Sequence, residues 1–367
     1  MDFRKLMQPH LKKVKPYVPG KPIEELRRER NIDGEIIKLA SNENPYPPLD
    51  EIKQAVIDEL EHVNRYPNSG SHYLSHELAA HHKVAPGQIF VGNGSNEILE
   101  LLVRAFVNQG ENVIHPHPSF IAYPLILHQA GVGDVRVPLV DHLIDLESMM
   151  LAVTQKTKMV FICNPNNPTG TYVDTTDVQR FLKGIRKDII VVFDEAYFEY
   201  VAAEDYPDTI GMLERRRNIV VLRTFSKVHS LSGIRIGYAI ADEGLVTILH
   251  MVRQPFNVNR LAQAAARAAL RNSHLLRERI EENNRERDRL TAELRSMGCT
   301  VPDSQTNFLL VIPDESHGAD IVERLMDLGI IVRGAAPWGC GEESFRLSIG
   351  TPAQNDRFLE GLRKVRG

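Results

Sequence analysis

Four short segments hold the residue types from which a reaction centre could be built. In Thr224-Phe225-Ser226-Lys227 a lysine follows two hydroxyls, and Arg235 stands eight positions on, within Ser232-Gly233-Ile234-Arg235-Ile236-Gly237-Tyr238. Burial or a neighbouring cation eases deprotonation of such an amine, and a neutral amine attacks an aldehyde to form a Schiff base. Taken singly, Lys227 reads as a loop lysine. Asp194-Glu195-Ala196-Tyr197 follows the most apolar run of the chain. A carboxylate at the carboxyl end of a buried parallel strand stands where open α/β sheets bind ligands. It could keep a pyridine nitrogen protonated; equally, Asp194 could cap a helix and Tyr197 pack in a core. In Asn164-Pro165-Asn166-Asn167-Pro168-Thr169-Gly170 the prolines restrict the backbone and Gly170 permits an unusual turn. Asn167 would then be presented rigidly, its amide suited to a phenolate oxygen, although a plain turn is the simpler reading. Val91-Gly92-Asn93-Gly94-Ser95-Asn96-Glu97 is a glycine-rich turn entering a helix. Backbone N–H groups there suit a phosphate. Glu97 stands where the dinucleotide fingerprint needs glycine, so a Rossmann site is excluded. An ordinary N-cap would also explain Ser95.

These segments need strand ends to hold them. Strands are expected over 89–91, 112–114, 158–162, 189–193 and 219–222, as near-continuous apolar runs suited to a sheet buried on both faces. Helical patterns lie between them, over 96–106 and 174–185 for example, so the fold class is α/β with a mostly parallel central sheet flanked by helices. Beyond Gln254 the pattern changes. An alanine-rich helix over 261–270 and a charged one over 275–297 precede strands near 307–312, 330–333 and 345–349 and a helix near 321–328. This predicts a smaller α+β domain. Asn44-Pro45-Tyr46-Pro47-Pro48 reads as a rigid link. The predicted boundaries are an N-terminal arm over 1–45, a large domain over 46–255 and a small C-terminal domain over 256–367.

Composition narrows the function classes. With 44 basic and 48 acidic residues the chain lacks the basic excess of a nucleic-acid binder. Apolar residues make up 43%, enough for a sizeable core. No apolar stretch approaches the ~18 residues of a membrane span. Met1 to Tyr17 has no apolar h-region, so no signal peptide is expected. The three scattered cysteines, Cys163, Cys299 and Cys340, suit a reduced, cytoplasmic protein. His76 and His81 are one residue too far apart for the zinc helix motif. They and His115-Pro116-His117 are expected to be solvated or loop histidines. No G-x-S-x-G elbow favours a hydrolase.

Together the four segments supply a lysine, a ring-nitrogen carboxylate, a ring-oxygen partner and phosphate elements in a sensible order. This constellation resembles the fold-type I pyridoxal-phosphate aminotransferases of class II, and within them the histidinol-phosphate aminotransferase family. The resemblance extends over Pro16-Tyr17-Val18-Pro19-Gly20, Lys38-Leu39-Ala40-Ser41-Asn42-Glu43-Asn44-Pro45, Arg65-Tyr66-Pro67 and Phe345-Arg346-Leu347-Ser348-Ile349-Gly350-Thr351. It implies pyridoxal 5'-phosphate as cofactor, bound by the large domain. Lys227 would hold it and then shuttle the proton, Asp194 would pair with the pyridine nitrogen, and Tyr197 and Asn167 would bind the ring oxygen. Gly94, the Ser95 and Asn96 backbone, Thr224, Ser226 and Arg235 would cradle the phosphate, and Phe120 would stack on the ring. Tyr66 would reach that phosphate from a neighbouring subunit, which implies a homodimer with shared active sites. Arg333 and Arg346, with Tyr17 folding over from the arm as a lid, would bind a substrate phosphate, and Asn42 or Glu43 would meet an imidazole.

The implied reaction moves an amino group between histidinol phosphate and 2-oxoglutarate, giving imidazole-acetol phosphate and glutamate in histidine biosynthesis. An aromatic-amino-acid aminotransferase and a threonine-phosphate decarboxylase are the alternatives on the same fold. A cofactor-binding regulator would need a DNA-binding segment. Asn96 departs from the family's frequent aspartate, and Val228-His229-Ser230 from its usual Ala-Phe-Gly. His229 is either a packed loop histidine or a tuning residue.

Overall fold

The computed structural model describes residues 1–17, 19–314 and 320–366, so Val18 of the Pro16–Gly20 segment lies outside the described residues. Among these residues eleven strands form two sheets. The strands are β1 (Ile37–Leu39), β2 (Ile89–Gly92), β3 (Asn112–His117), β4 (Gly133–Pro138), β5 (Thr157–Cys163) and β6 (Ile190–Asp194). They continue with β7 (Ile219–Thr224), β8 (Gly237–Ala241), β9 (Phe308–Val311), β10 (Ile330–Gly334) and β11 (Phe345–Ser348).

The larger sheet has the order β2-β8-β7-β6-β5-β3-β4. Its strands β7, β6, β5, β3 and β4 are parallel, and β8 runs against both β7 and β2. Alternation assigns the side chains to two cores. Val191, Phe193 and Val221 face one, beneath the helices His72–His82, Thr175–Gly184 and Arg260–Arg271. Val192, Val220 and Leu222 face the other, beneath the helices Ser95–Phe106, Ala122–Ala130 and Glu243–Val252. Each fully buried side chain of this size contributes roughly 1.5–3 kcal/mol of transfer free energy. The same period sends Asp194 and Thr224 to the second face and Glu195 and Arg223 to the first. There Arg223 pairs with Glu195 at 2.9 Å, both buried. Truncating either alone strands a buried charge, at a cost of about 3–5 kcal/mol.

Local signals set the helix starts. Asp174 caps Thr175–Gly184 through the Asp177 N–H at 2.8 Å, and Asn259 caps Arg260–Arg271 through the Ala262 N–H at 2.8 Å. The smaller sheet has the order β1-β10-β11-β9, with β1 parallel to β10 and the other pairs antiparallel. Helices Arg277–Ser296, Ile321–Asp327 and Pro352–Arg366 cover it. The proline-rich stretch is tied down by Asn44 Nδ2 donating to the Val228 carbonyl and by Arg279 donating to the Pro47 carbonyl, each at 2.8 Å.

The expected strands appear as β2, β3, β5, β6 and β7, while β4 and β8 were not singled out. Strand β4 is a half-exposed edge carrying Asp134 and Arg136, and β8 is built largely of glycine and alanine, so neither shows a strong apolar run. One expectation is corrected here. His115 is not solvated or in a loop: it is buried within β3, with Nε2 2.7 Å from Asp134 Oδ1 and Nδ1 2.8 Å from the Pro116 carbonyl. Among the described residues no helix is long and apolar enough to cross a membrane.

Candidate functional site

Strands β5, β6 and β7 end beside a cavity of about 200 Å³ lined by Asp194, Lys227, Phe120, Asn167, Tyr197 and Arg235, with Ser95, Asn96, Thr224 and Ser226 at its far end. Register places Cys163 beside Asp194. Lys227 sits just past β7, and burial pulls its ammonium down to about 8, with the Arg346 guanidinium adding to the effect. The Tyr197 ring centroid is 5.3 Å from its Nζ. A lysine so placed has an appreciable neutral fraction near neutral pH, which a nucleophile or general base requires.

Asp194 is buried, and its Oδ2 accepts from the Tyr123 hydroxyl at 3.0 Å. Its Oδ1 is buried with no hydrogen-bond partner among the described residues. Burial pushes the carboxyl up to about 6, against the Tyr123 hydrogen bond. A carboxylate with one oxygen satisfied and one waiting in a dry cavity is a receptor for a cationic N–H.

The far end is arranged around a helix start. Ser95 is the first residue of Ser95–Phe106, and the N-cap is Gly94, which has no side chain to take up the first-turn N–H groups. They remain available to an anion. Gly94 has φ +82°, a conformation that favours glycine, and a Cβ there would come within 2.6 Å of Arg235 Nη2. Arg235 is itself at φ +63°. Thr224 Oγ1 donates to Ser226 Oγ at 2.9 Å, which gathers two hydroxyls at this end. The lysine, the waiting carboxylate and this cationic, N–H-rich pole fit a phosphorylated pyridine aldehyde such as pyridoxal 5'-phosphate.

A second cavity, about 120 Å³, adjoins the first and shares Phe120, Asn167, Tyr197 and Lys227 with it. Tyr17, Arg333, Arg346 and Trp338 line its other side. Arg333 and Arg346 face each other across β10 and β11, and both guanidiniums lie over Trp338, at 5.7 and 5.2 Å from its ring. Arg346 is buried; it donates to Asn167 Oδ1 at 2.6 Å and to the Ala40 carbonyl at 2.9 Å. Burial lowers its guanidinium to about 10. Its Nε is buried without a partner among the described residues, a donor directed at no protein acceptor. Beside this cavity a cleft of about 740 Å³ runs along the arm past Tyr17, Phe120 and His117.

The structure therefore brings together Lys227, Asp194, Tyr197, Asn167, Phe120, Ser95, Asn96, Thr224, Ser226 and Arg235, and next to them Tyr17, Arg333 and Arg346. Glu43 lines the first cavity while pairing with Lys38 at 3.2 Å. Asn42 lines the second, but its amide donates to the Tyr197 hydroxyl at 2.9 Å, and no imidazole contact is needed to explain its placement. Tyr66 does not reach either cavity within one chain. It is 77% exposed and stacks on Phe256 at 4.5 Å. His229 is buried against Phe225 and outside both cavities, and burial lowers its imidazole to about 4. Tyr123 and Trp338 touch the site but stand in none of the segments singled out in the sequence. Tyr123 follows Phe120 by one helical turn, a spacing that could have flagged it.

Comparison with known proteins gives a consistent set of likenesses. The family model described as Aminotransferase class I and II matches residues 34–362. The chain is 41% identical over 357 residues to histidinol-phosphate aminotransferase 2 of Carboxydothermus hydrogenoformans, covering 97% of this chain and 98% of that one. It is 40% identical over 363 residues to histidinol-phosphate aminotransferase 1 of Idiomarina loihiensis, covering 99% and 98%. Among solved structures it resembles the histidinol-phosphate aminotransferase of Sinorhizobium meliloti in complex with pyridoxal-5'-phosphate, with a TM-score of 0.89, 28% identity and coverage of 98% and 97%.

Proposed function

Because the chain belongs to the class I and II aminotransferases, and within them to the histidinol-phosphate aminotransferase family, we propose that it transfers the amino group of histidinol phosphate to 2-oxoglutarate. The observation that carries the substrate reading is the pair Arg333 and Arg346 beside the cavity of Lys227. Two guanidiniums suit a dianionic phosphate better than a single carboxylate.

Bound in the first cavity, pyridoxal 5'-phosphate supplies an aldehyde for amines and a ring that delocalises the charge left when a proton leaves the substrate carbon. Asp194 holds the pyridine nitrogen in its protonated form through the oxygen that lacks a protein partner. Tyr197 and Asn167 donate toward the ring oxygen, and Phe120 packs against the ring face. The Gly94–Asn96 backbone, Thr224, Ser226 and Arg235 bind the cofactor phosphate. Lys227 would anchor the cofactor and, as a neutral amine, would move the proton from the substrate carbon. Arg333, Arg346 and Tyr17 hold the substrate phosphate, with the arm over 1–45 contributing to the small domain (256–367) through β1 and to a lid over the site of the large domain (46–255). The partner subunit's Tyr66 completes the phosphate site in a homodimer, consistent with the exposed Tyr66–Phe256 stack. A cytoplasmic location suits the composition.

The test is an absorbance titration of cofactor-loaded enzyme with histidinol phosphate, phenylalanine and threonine phosphate in parallel. Conversion of the cofactor band to the amine form at low histidinol phosphate, with weak responses to the other two, is the expected result. A stronger response to phenylalanine would make the enzyme an aromatic aminotransferase and remove the phosphate argument.

A further inference from the structure

The Tyr197 hydroxyl sits in the middle of a chain of hydrogen bonds whose two ends lie on β11. Its oxygen accepts from Asn42 Nδ2 at 2.9 Å and from Asn167 Nδ2 at 3.3 Å. Arg346 settles the orientation of the Asn167 amide, and Ser348 is compatible with that of Asn42. Asn167 Oδ1 faces Arg346 Nη1 at 2.6 Å, and a guanidinium can only donate. Asn42 Oδ1 lies 3.2 Å from Ser348 Oγ. That serine oxygen accepts the Asn42 backbone N–H at 2.8 Å, which leaves its hydrogen for Oδ1. Arg346 and Ser348 are two apart on β11 and so share a face. The chain of bonds thus runs from Arg346 through Asn167, Tyr197, Asn42 and Ser348 back to the same strand.

A phenolic oxygen has one hydrogen to give and a limited capacity to accept. Two amide donors fill that capacity, and only the hydrogen is left for a group entering the cavity. Asn42 is held for this task at some conformational cost. It is buried at φ +53°, and its carbonyl accepts from Asn307 Nδ2 at 3.2 Å. Asparagine is one of the few residues other than glycine that adopts this conformation readily. Ser348 lines neither cavity.

We propose that Asn42 and Ser348 are positioning residues that make the Tyr197 hydroxyl a donor only, and so keep the ring oxygen of the bound cofactor unprotonated. The assignment rests on Tyr197 facing that ring oxygen, as proposed above. It gives Asn42 a role toward the cofactor rather than toward the substrate imidazole.

The test reads the pH midpoint of the visible absorbance change of cofactor-loaded enzyme, with thermal melting in parallel. A donor to an anionic oxygen favours its unprotonated form, so losing that donor raises the midpoint. Tyr197→Phe is expected to raise it. Asn42→Gly keeps the positive φ without strain and is expected to raise it by about half a unit to one unit. The same substitution is expected to add nothing in a Tyr197→Phe background. Asn42→Asp offers the tyrosine a competing acceptor and is expected to raise the midpoint as far as Tyr197→Phe does. Ser348→Ala, a smaller change in the same direction, serves if Asn42→Gly fails to fold. An unmoved midpoint in Asn42→Gly while Tyr197→Phe moves it overturns the positioning role, as does a shift that persists in the Tyr197→Phe background. An unmoved midpoint in Tyr197→Phe itself overturns the underlying reading of Tyr197 instead.

Discussion

Asp194, Thr224 and Lys227 stand on or just past adjacent strands of one sheet, close together in sequence, whereas Tyr17, Arg333 and Arg346 come from the two ends of the chain. The first group is carried by a sheet with a core on each face. Asp194 is buried and Lys227 largely so, and burial displaces both of their ionisation equilibria. The second group is mixed: Arg346 is buried, yet Tyr17 is 53% exposed. A rigid floor meets an assembled lid. Chemistry needs fixed distances and a dry environment, while exchange of two different substrates needs a side that can open.

That contrast can be broken by substitution. Lys227→Ala should lower kcat by at least ~10⁴-fold, because nucleophile and proton carrier go together; single-turnover absorbance measures it. Arg333→Met should raise KM for histidinol phosphate by about 100-fold while leaving the cofactor spectrum close to that of the parent. A lost spectrum in that variant would mean that floor and lid are not separable. Tyr123→Phe should lower kcat by roughly 3–10-fold and shift the pH–rate profile, since it removes one hydrogen bond to Asp194.

The smallest effect sharpens the contrast through stability. Stripped of cofactor, the enzyme buries Lys227 at a pKa of about 8 instead of 10.5. The unfolded chain then binds the extra proton between these values, so this group's contribution to stability rises with pH from 8 to 10.5 and is lost as pH falls through 8. Lys227→Met should therefore stabilise the stripped enzyme by about 1–3 kcal/mol at pH 7. The gain should shrink toward pH 10 in denaturant titrations.

Legibility in the sequence followed the same division. Lys227, Asp194 and Asn167 could be read because each lies in a short motif next to a strand whose apolar run is unmistakable. The contact Asn42 makes was not legible, since its partner is a hydroxyl 155 positions away. Tyr123 was not legible because its partner Asp194 lies 71 positions on, at the end of β6. His115 was misread because its partner Asp134 sits on β4, an edge strand without a strong pattern. Local chemistry shows in sequence; a polar group whose partner is distant looks unemployed.

The pairing of β1 with β10 also orders events during synthesis. Ile37 lies opposite Ile330, so the strand that emerges early must wait for almost the whole chain before it has a neighbour. By the time β8 leaves the ribosome, the strand ends that carry Asp194, Thr224 and Lys227 are already present, and domains fold as they appear. A nascent chain at that stage carries these strand ends but still lacks the covering helices Glu243–Val252 and Arg260–Arg271 and, further on, both Arg333 and Arg346. The first cavity thus has its strand ends long before the second cavity has its arginines.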